Sequence, residues 1–273
     1  MNAPSLDMAA AEALFAFWRD AGVDACFEAE PVDRTVFVAP VAAKGPATIT
    51  PLRAPGAAPG AAPAPGEAAA EARRLAAAAA TLDELAEAIA AFEGCPLRAM
   101  GARQSVFARG NPQGSLMIVG EGPGAEEDVR GQPFVGQAGQ LLDRILMAAG
   151  LLDGAFITNT VFWKTPGNRT PTPQEQAVCA PFLERAAALL KPKAVLLVGA
   201  AAAKAVLKTD DGIMRTRGQW REWRLSEGGI AAPVMATLHP AFLLRQPQAK
   251  GLVWKDILDL SARLRGEVVE PGA

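Results

Sequence analysis

The chain has 273 residues and is 50% hydrophobic, which is enough for one sizeable core and an appendage. It has no apolar run of the ~18 residues that span a bilayer, and its first residues lack the basic region and continuous apolar stretch of a secretory signal. Cys26, Cys95 and Cys179 form no closely spaced framework. We therefore expect a reduced, cytoplasmic setting without a membrane segment.

Charge is distributed unevenly along the chain. Residues 1–94 contain 6 Lys and Arg against 13 Asp and Glu, and residues 95–273 contain 21 against 16, so balances of -7 and +5 give the total of -2. A basic C-terminal part suits a polyanionic partner such as nucleic acid. Ordinary charge scatter explains the same numbers, so both interpretations stay open.

Composition divides the chain into five parts. Residues 7–21 have the pattern of a helix whose apolar stripe includes Leu14, Phe15 and Trp18. A stretch rich in Pro, Ala and Gly follows, which is typical of a flexible linker. The predicted parts are an N-terminal helical or extended segment (1–39), the linker (40–66), a helix leading into the domain (67–94), the domain itself (95–265) and a tail (266–273). In the third part, Thr81 and Glu84 form a predicted capping box.

From residue 95 onward, short apolar runs alternate with helical patterns. The predicted strands are LMIVG (116–120), AFITNT (155–160), AVLLVG (194–199) and PVMATLH (233–239). This alternation predicts a three-layer α/β/α fold with a central, mostly parallel four-stranded sheet, plus a helical N-terminal extension. Ligands bind at the carboxyl ends of such strands. Polar motifs follow the first, second and fourth predicted strands, so we expect them to meet at one rim.

The first motif is the loop GEGPG (120–124). Its glycines permit a tight turn whose amides face a ligand, but the spacing matches neither usual phosphate loop. The acids in and after it, Glu121, Glu126, Glu127 and Asp128, would repel a phosphate, whereas they suit a water or a base that donates hydrogen bonds. A capped helix start whose acids favour the helix dipole is the alternative interpretation.

The next polar and aromatic candidates are Phe134 and Asn159. A ring just after a glycine-rich turn can stack on a nucleobase, although a core phenylalanine is the more common role. Asn159 ends the second predicted strand, and its amide offers the donors and the acceptor needed to read a pyrimidine edge. An asparagine there also commonly caps the next turn.

The segment PGNRTPTPQE supplies Asn168 and Arg169, and Arg169 is a candidate phosphate contact. Thr172 and Glu175 predict a second capping box at the start of the next helix.

The chain's single histidine, His239, ends the fourth predicted strand. A lone histidine is commonly structural, but its place at the predicted rim favours catalysis. Leu243, Leu244 and Arg245 follow, and they suit an apolar wedge that enters a duplex beside a phosphate contact. A helix start that packs on the core is the alternative interpretation.

Together these segments resemble family 4 of the uracil-DNA glycosylases, from Cys95 to about residue 260. The likeness includes GNPQGSLMIVGEGPGAEEDVRGQPFVGQAGQLLDRIL, ITNTVFWKTPGNRTPTPQE, AVLLVGAAAAKAVL, MRTRGQW and HPAFLLRQP. The resemblance implies removal of uracil from DNA by cleavage of the N-glycosidic bond. It also implies that Phe134 stacks on the flipped uracil, Asn159 reads its Watson–Crick edge, and His239 donates a hydrogen bond to O2 of the departing base.

The resemblance further implies four pocket residues. Glu121 and Gly122 would lie in the pocket loop, Glu127 would position the attacking water, and Asn168 would be a further polar contact. Gly122 occupies the place where another branch of the superfamily has an aspartate.

The chain departs from the family at its iron–sulfur ligands. The family usually has four cysteines that bind a [4Fe–4S] cluster, and here Cys95 and Cys179 match two of them. Arg98 and Trp163 stand at the other two positions. Neither residue can ligate iron, and two thiolates fall short of the usual four. We therefore predict no metal and no cofactor, with packing around Trp163 and a hydrogen bond of Arg98 in place of the cluster.

Three hypotheses follow from the sequence. The first is a monofunctional glycosylase, since neither GEGPG nor HPAFLLR contains a lysine for a Schiff base. The others are a DNA-binding damage sensor that has lost catalysis and a small-molecule nucleotide-binding protein. The expected partner is uracil-containing DNA, single- or double-stranded. We also expect a monomer and a possible protein partner for the N-terminal segment.

Overall fold

The computed structural model describes residues 65–226 and 229–267. The predicted helix over 7–21, Cys26 and all but the last two residues of the predicted linker lie outside these described residues, as do residues 268–273 of the predicted tail. None of the described helices is long and apolar enough to cross a membrane.

A six-stranded sheet forms the centre of the described residues. Its strands are β1 (Ala108–Gly110), β2 (Leu116–Gly120), β3 (Ala155–Asn159), β4 (Ala194–Val198), β5 (Trp220–Arg224) and β6 (Ile230–Thr237). They lie in the order β1-β3-β2-β4-β6-β5. The four central strands are parallel and are the four that the sequence predicts, whereas β1 and β5 are antiparallel edges that it misses.

Both faces of the sheet are covered, as the three-layer prediction requires. Strands β2, β3 and β4 are buried along their whole length. Side chains alternate between two apolar cores, so Leu116 and Ile118 lie in one and Met117 and Val119 in the other. This period of two follows from strand geometry.

The helices are α1 (Pro65–Ala78), α2 (Leu82–Ala91), α3 (Pro96–Ala99), α4 (Ala125–Arg130), α5 (Gln137–Ala148), α6 (Pro173–Leu190), α7 (Ala200–Leu207), α8 (Ile213–Thr216), α9 (Pro240–Arg245) and α10 (Lys250–Leu264). The helical segment leading into the domain consists of two helices, and Thr81 begins the second, in agreement with its predicted cap. The Thr81 hydroxyl accepts the Glu84 N–H, but the Glu84 carboxylate accepts the N–H of Ala80. The capping box of Thr172 and Glu175 is confirmed at α6.

The carboxyl ends of the central strands lie side by side and continue into hydrogen-bonded loops. The N–H of Thr160 donates to the carbonyl of Gly120, and the N–H of Gly199 donates to that of Thr237. The Thr237 hydroxyl also donates to the buried carboxylate of Asp256 in α10, at 2.6 Å. The loops after β2, β3 and β6 therefore start from fixed points on one rim.

Candidate functional site

Phe134, Asn159 and His239 meet at this rim, as the sequence predicts. The rings of Phe134 and His239 are stacked, with centroids 5.8 Å apart and planes inclined by 27°. A Cβ atom on Gly120 would overlap the Phe134 ring and lie 2.5 Å from the Asn159 Oδ1. Phe134 and Asn159 thus enclose the end of β2, where only a glycine leaves them room, and His239 lies against Gly199 after β4.

Asn159 contributes a buried amide oxygen to the site. The residue is buried, and among the described residues its Oδ1 has no hydrogen-bond partner. A buried polar atom without a partner is unfavourable and uncommon in native proteins. Its presence at the rim indicates an acceptor that a ligand satisfies.

His239 is held as a neutral ring. Burial, and secondarily the positive charge of Arg245, lowers its pKa to about 4, while the charge of Glu127 raises it slightly. Its Nδ1 accepts the N–H of Ala241 at 3.1 Å. Because Nδ1 is the acceptor, the proton of the neutral ring is on Nε2. The side chain therefore offers one N–H donor without a formal charge.

The two candidate acids of the first motif differ in their contacts. Glu127 Oε1 accepts the N–H groups of Val135 and Gly136, each at 2.9 Å, and its Oε2 accepts that of Gly124 at 3.1 Å. Glu121 is half-buried, and its carbonyl accepts the Thr160 hydroxyl at 2.6 Å. Glu127 thus joins the GEGPG loop to the loop of Phe134, while its water-positioning role and the catalytic role of Glu121 stay predictions.

Gly122, in the pocket loop, packs against the segment that follows β3. A Cβ atom there would lie 2.8 Å from a methyl of Val161 and 3.8 Å from the Pro171 ring. This crowding explains a glycine at the position in packing terms.

The segment after β3 is more exposed than its predicted roles suggest. Asn168 is exposed with φ of 53°. Arg169 is also exposed, but its guanidinium donates to both oxygens of the buried Glu175, at 2.6 and 2.8 Å. This pair lowers the pKa of Glu175. A phosphate would have to bind the guanidinium beside that carboxylate.

The prediction of an apolar wedge is wrong for one of its residues. Leu243 is fully buried in the core beneath α9, so it cannot enter a duplex in this conformation. Leu244 is 42% exposed and Phe242 37% exposed on the same helix. Arg245 is exposed, and its positive charge contributes to the lowered pKa of His239. The exposed apolar surface of α9 therefore consists of Phe242 and Leu244.

Three of the four positions of the family's cluster ligands are buried, and the fourth, Arg98, is exposed. Cys95 and Cys179 are buried free thiols in side-chain hydrogen-bond contact, which lowers the pKa of Cys95. Trp163 is buried beside them, 6.4 Å from the Phe92 ring. Arg98 donates to the carbonyls of Ala90 and Phe92 at 3.0 and 2.9 Å. Two thiols, an indole and a guanidinium do not fit a four-thiolate cluster.

Sequence reasoning misses two residues that shape the site, Gly199 and Arg109, and it assigns Gly120 only to a tight turn. Gly120 and Gly199 leave space for the Asn159 amide and the His239 ring, and their positions directly after buried strand residues are a usable signal. Arg109 donates to the backbone of the Phe134 loop. It has no such signal, because its partners lie 24 and 25 residues away along the chain.

The fold and rim match a known class of protein. The family model of the uracil DNA glycosylase superfamily matches residues 107–258, more than half of the chain. The chain belongs to this superfamily.

Three similar proteins have the same name, type-4 uracil-DNA glycosylase. The chain is 36% identical over 181 residues to the type-4 uracil-DNA glycosylase of Pyrobaculum aerophilum, covering 64% of this chain and 91% of the relative. It is 36% identical over 183 residues to the enzyme of the same name from Thermotoga maritima, with the same coverage. The corresponding protein of Archaeoglobus fulgidus is 33% identical over 175 residues, 62% of this chain and 86% of the relative.

Proposed function

We propose that this protein is a monofunctional uracil-DNA glycosylase that hydrolyses the N-glycosidic bond of uracil in DNA and leaves an abasic site for base excision repair. The observation that supports this most is the convergence of the Phe134 ring, the Asn159 amide and the His239 imidazole at one rim of the sheet. The names of the relatives agree with this activity. The damage-sensor alternative is not favoured.

Uracil is selected by stacking and by an edge contact. An extruded base stacks on the Phe134 ring, which offsets part of the few kcal/mol that flipping costs. The partnerless Oδ1 of Asn159 accepts the N3–H of uracil. Cytosine presents an acceptor at N3 and leaves that buried oxygen unsatisfied, so the site rejects it.

His239 stabilises the leaving base. When the C1′–N1 bond breaks, its electron pair stays with uracil and negative charge develops on O2. The neutral imidazole donates its Nε2–H to that oxygen, and a donor that bonds more strongly as charge develops lowers the barrier. A neutral donor fits the pKa of about 4 that burial gives His239.

Water completes the reaction at C1′. We assign its positioning to Glu127, at the start of α4, and we place Glu121 and Gly122 beside it in the pocket loop. Water adds its oxygen to C1′, one of its protons leaves to solvent, and the uracil anion departs. Neither GEGPG nor HPAFLLR contains a lysine that could form a Schiff base, so strand cleavage is not expected.

DNA is held by the exposed side chains around the rim. We assign phosphate contacts to Arg245 and Arg169, a polar contact to Asn168, and insertion at the flipped site to Leu244. The prediction for Leu243 is withdrawn because that side chain is buried.

We propose that the protein works without an iron–sulfur cluster, as a cytoplasmic monomer. The donor set at Cys95, Arg98, Trp163 and Cys179 supports the first part, and the two buried free thiols suit a reducing compartment. Iron analysis and the visible spectrum of freshly purified protein test it. About four irons per chain with a brown colour would refute it.

The activity is tested by base release from oligonucleotides that contain one uracil. We expect free uracil and an alkali-labile abasic site from both single and double strands. The same panel with hypoxanthine, xanthine and cytosine defines the substrate range, and Asn159→Ala and His239→Ala are the matched variants. Absence of base release by the native chain from every deaminated substrate would contradict the proposal.

A further inference from the structure

The stacking loop, residues 131–136, is held from two sides by charged side chains of opposite sign. On one side Glu127 accepts the N–H groups of Val135 and Gly136. On the other side Arg109 donates from Nε to the carbonyl of Pro133 at 2.7 Å and from Nη2 to that of Phe134 at 3.1 Å. The backbone on both sides of the Phe134 ring is therefore fixed by charge-assisted hydrogen bonds.

Phe134 needs such support because its backbone is strained. Its φ is 55°, in the left-handed region that bulky residues rarely adopt. Residues in this region persist only where the surroundings fix them, and they cluster at functional sites. A Cβ on Gly139, in the first turn of α5, would overlap the Phe134 carbonyl oxygen. That oxygen is thus packed between α5 and the Arg109 guanidinium.

Arg109 is itself fixed in place. It lies in the middle of β1, where it pairs with Ile157 of β3. Its Nη2 also donates to Asp143 of α5 at 2.6 Å, and its side chain is only 17% exposed. A guanidinium held by a strand on one side and by a carboxylate on the other has little freedom to leave the two carbonyls.

We propose that Arg109, oriented by Asp143, is a positioning residue that holds the Phe134 ring at the height and angle required to receive the extruded base. The proposal rests on the proposed function. Arg109 acts through the backbone of the stacking loop, and nothing in its role requires contact with the base. Without the guanidinium, two carbonyls lose their donor and the Phe134 backbone relaxes toward negative φ, which turns the ring away from its stacking position.

The test is the kinetics of uracil release by Arg109→Gln, Arg109→Lys and Asp143→Asn. Stacking acts on the bound, flipped base, so we expect Arg109→Gln to raise KM ~10-fold, with kcat changed less than about twofold. Arg109→Lys keeps the charge but not the paired donors, and it should fail to restore KM. Asp143→Asn should raise KM about threefold. Arg74→Gln, which removes an exposed pair with Glu71, is the control and should change neither constant.

A merely structural role would give a different result, because partial unfolding lowers the apparent kcat and leaves KM unchanged. A double-mutant cycle separates the two further: in a Phe134→Leu background, Arg109→Gln should change KM less than twofold. An unchanged KM in Arg109→Gln, or its full effect without the ring, would overturn the proposal. Should Arg109→Gln fail to fold, Arg109→Lys and Asp143→Asn apply the same criteria. Base release by the native chain is measured separately, so failure of the proposed function remains distinguishable.

Discussion

Two regions of the molecule differ in how well their polar groups are paired. One is the rim of the sheet, and the other is the thiol region, defined as Cys95, Arg98, Trp163 and Cys179. At the rim, a buried amide oxygen has no partner, a phenylalanine has positive φ, and burial lowers the pKa of an imidazole. In the thiol region, aromatic rings pack around the two thiols and Arg98 donates to two carbonyls.

This difference indicates that the rim serves function and the thiol region serves stability. Such unfavourable features persist because the surrounding structure holds them in place, and they are typical of functional sites. Among the described residues, the thiol region has neither a partnerless buried side-chain oxygen nor a non-glycine residue of positive φ, so we expect it to contribute chiefly to stability. Variants of the rim should therefore affect activity more than stability, and variants of the thiol region should do the reverse.

The largest expected effect is on stability, in the thiol region. Trp163→Ala removes a fully buried indole, and truncations of this kind cost about 3–5 kcal/mol in free energy of unfolding. Urea unfolding measures the loss. Trp254→Ala is the matched control, because Trp254 is 39% exposed and should cost far less. Equal losses from the two variants would show that the thiol region is not a packed core.

The second effect is on activity, at the rim. His239→Ala removes the proposed donor to O2, and loss of one such donor lowers kcat by ~10²–10³-fold. Single-turnover release of uracil measures it, with affinity for uracil-containing DNA and the urea midpoint as controls that should change little. His239→Gln retains an N–H donor and should lose less. If His239→Ala kept more than about a tenth of the native rate, the imidazole would not be the principal donor.

A smaller effect is expected at Asn159, where activity and stability should move apart. Asn159→Ala removes the acceptor for uracil N3–H, and a lost hydrogen bond of this kind costs about 1–3 kcal/mol, or ~5–150-fold in kcat/KM. Because Oδ1 has no partner within residues 65–226 and 229–267, its removal should not lower the melting temperature as an ordinary buried polar deletion would. A large loss of stability with unchanged kcat/KM would place Asn159 among structural residues.

The sequence predicts most of the fold and part of the site, for identifiable reasons. Strands β2, β3, β4 and β6 are found because they contain apolar runs, and polar residues that follow them must lie on one rim. Strand β1 is only three residues long, and β5 is half-exposed and rich in charge, so neither has a buried pattern. Both strands lie at sheet edges, where burial on two faces is not required.

The errors within the site have the same origin. Leu243 and Leu244 are neighbours in the second half of α9, and only tertiary packing decides which of them enters the core. Arg109 binds backbone carbonyls, which every residue has, so no residue type at the other end marks the contact. Side chains that act on backbone groups far along the chain become visible only in the folded protein.

The smallest expected effect is the absence of a change, and it tests the electrostatics of the rim directly. With a pKa of about 4, His239 is roughly 90% neutral at pH 5, whereas at its usual pKa of 6.5 it would be about 3% neutral. Because the neutral ring is the proposed donor, kcat should stay nearly constant from pH 8 to pH 5 and fall only near pH 4.

The unfolded chain takes up this proton near pH 6.5, before the folded protein does. The contribution of His239 to stability is therefore complete above pH 6.5 and is lost as the pH falls toward 4. Single-turnover rates and urea midpoints across this range measure both trends, with His239→Gln as the variant that cannot titrate here. A fall of kcat with a midpoint near pH 6.5, absent in His239→Gln, would mean that the ring is hydrated and that the rim is not the desolvated site described above.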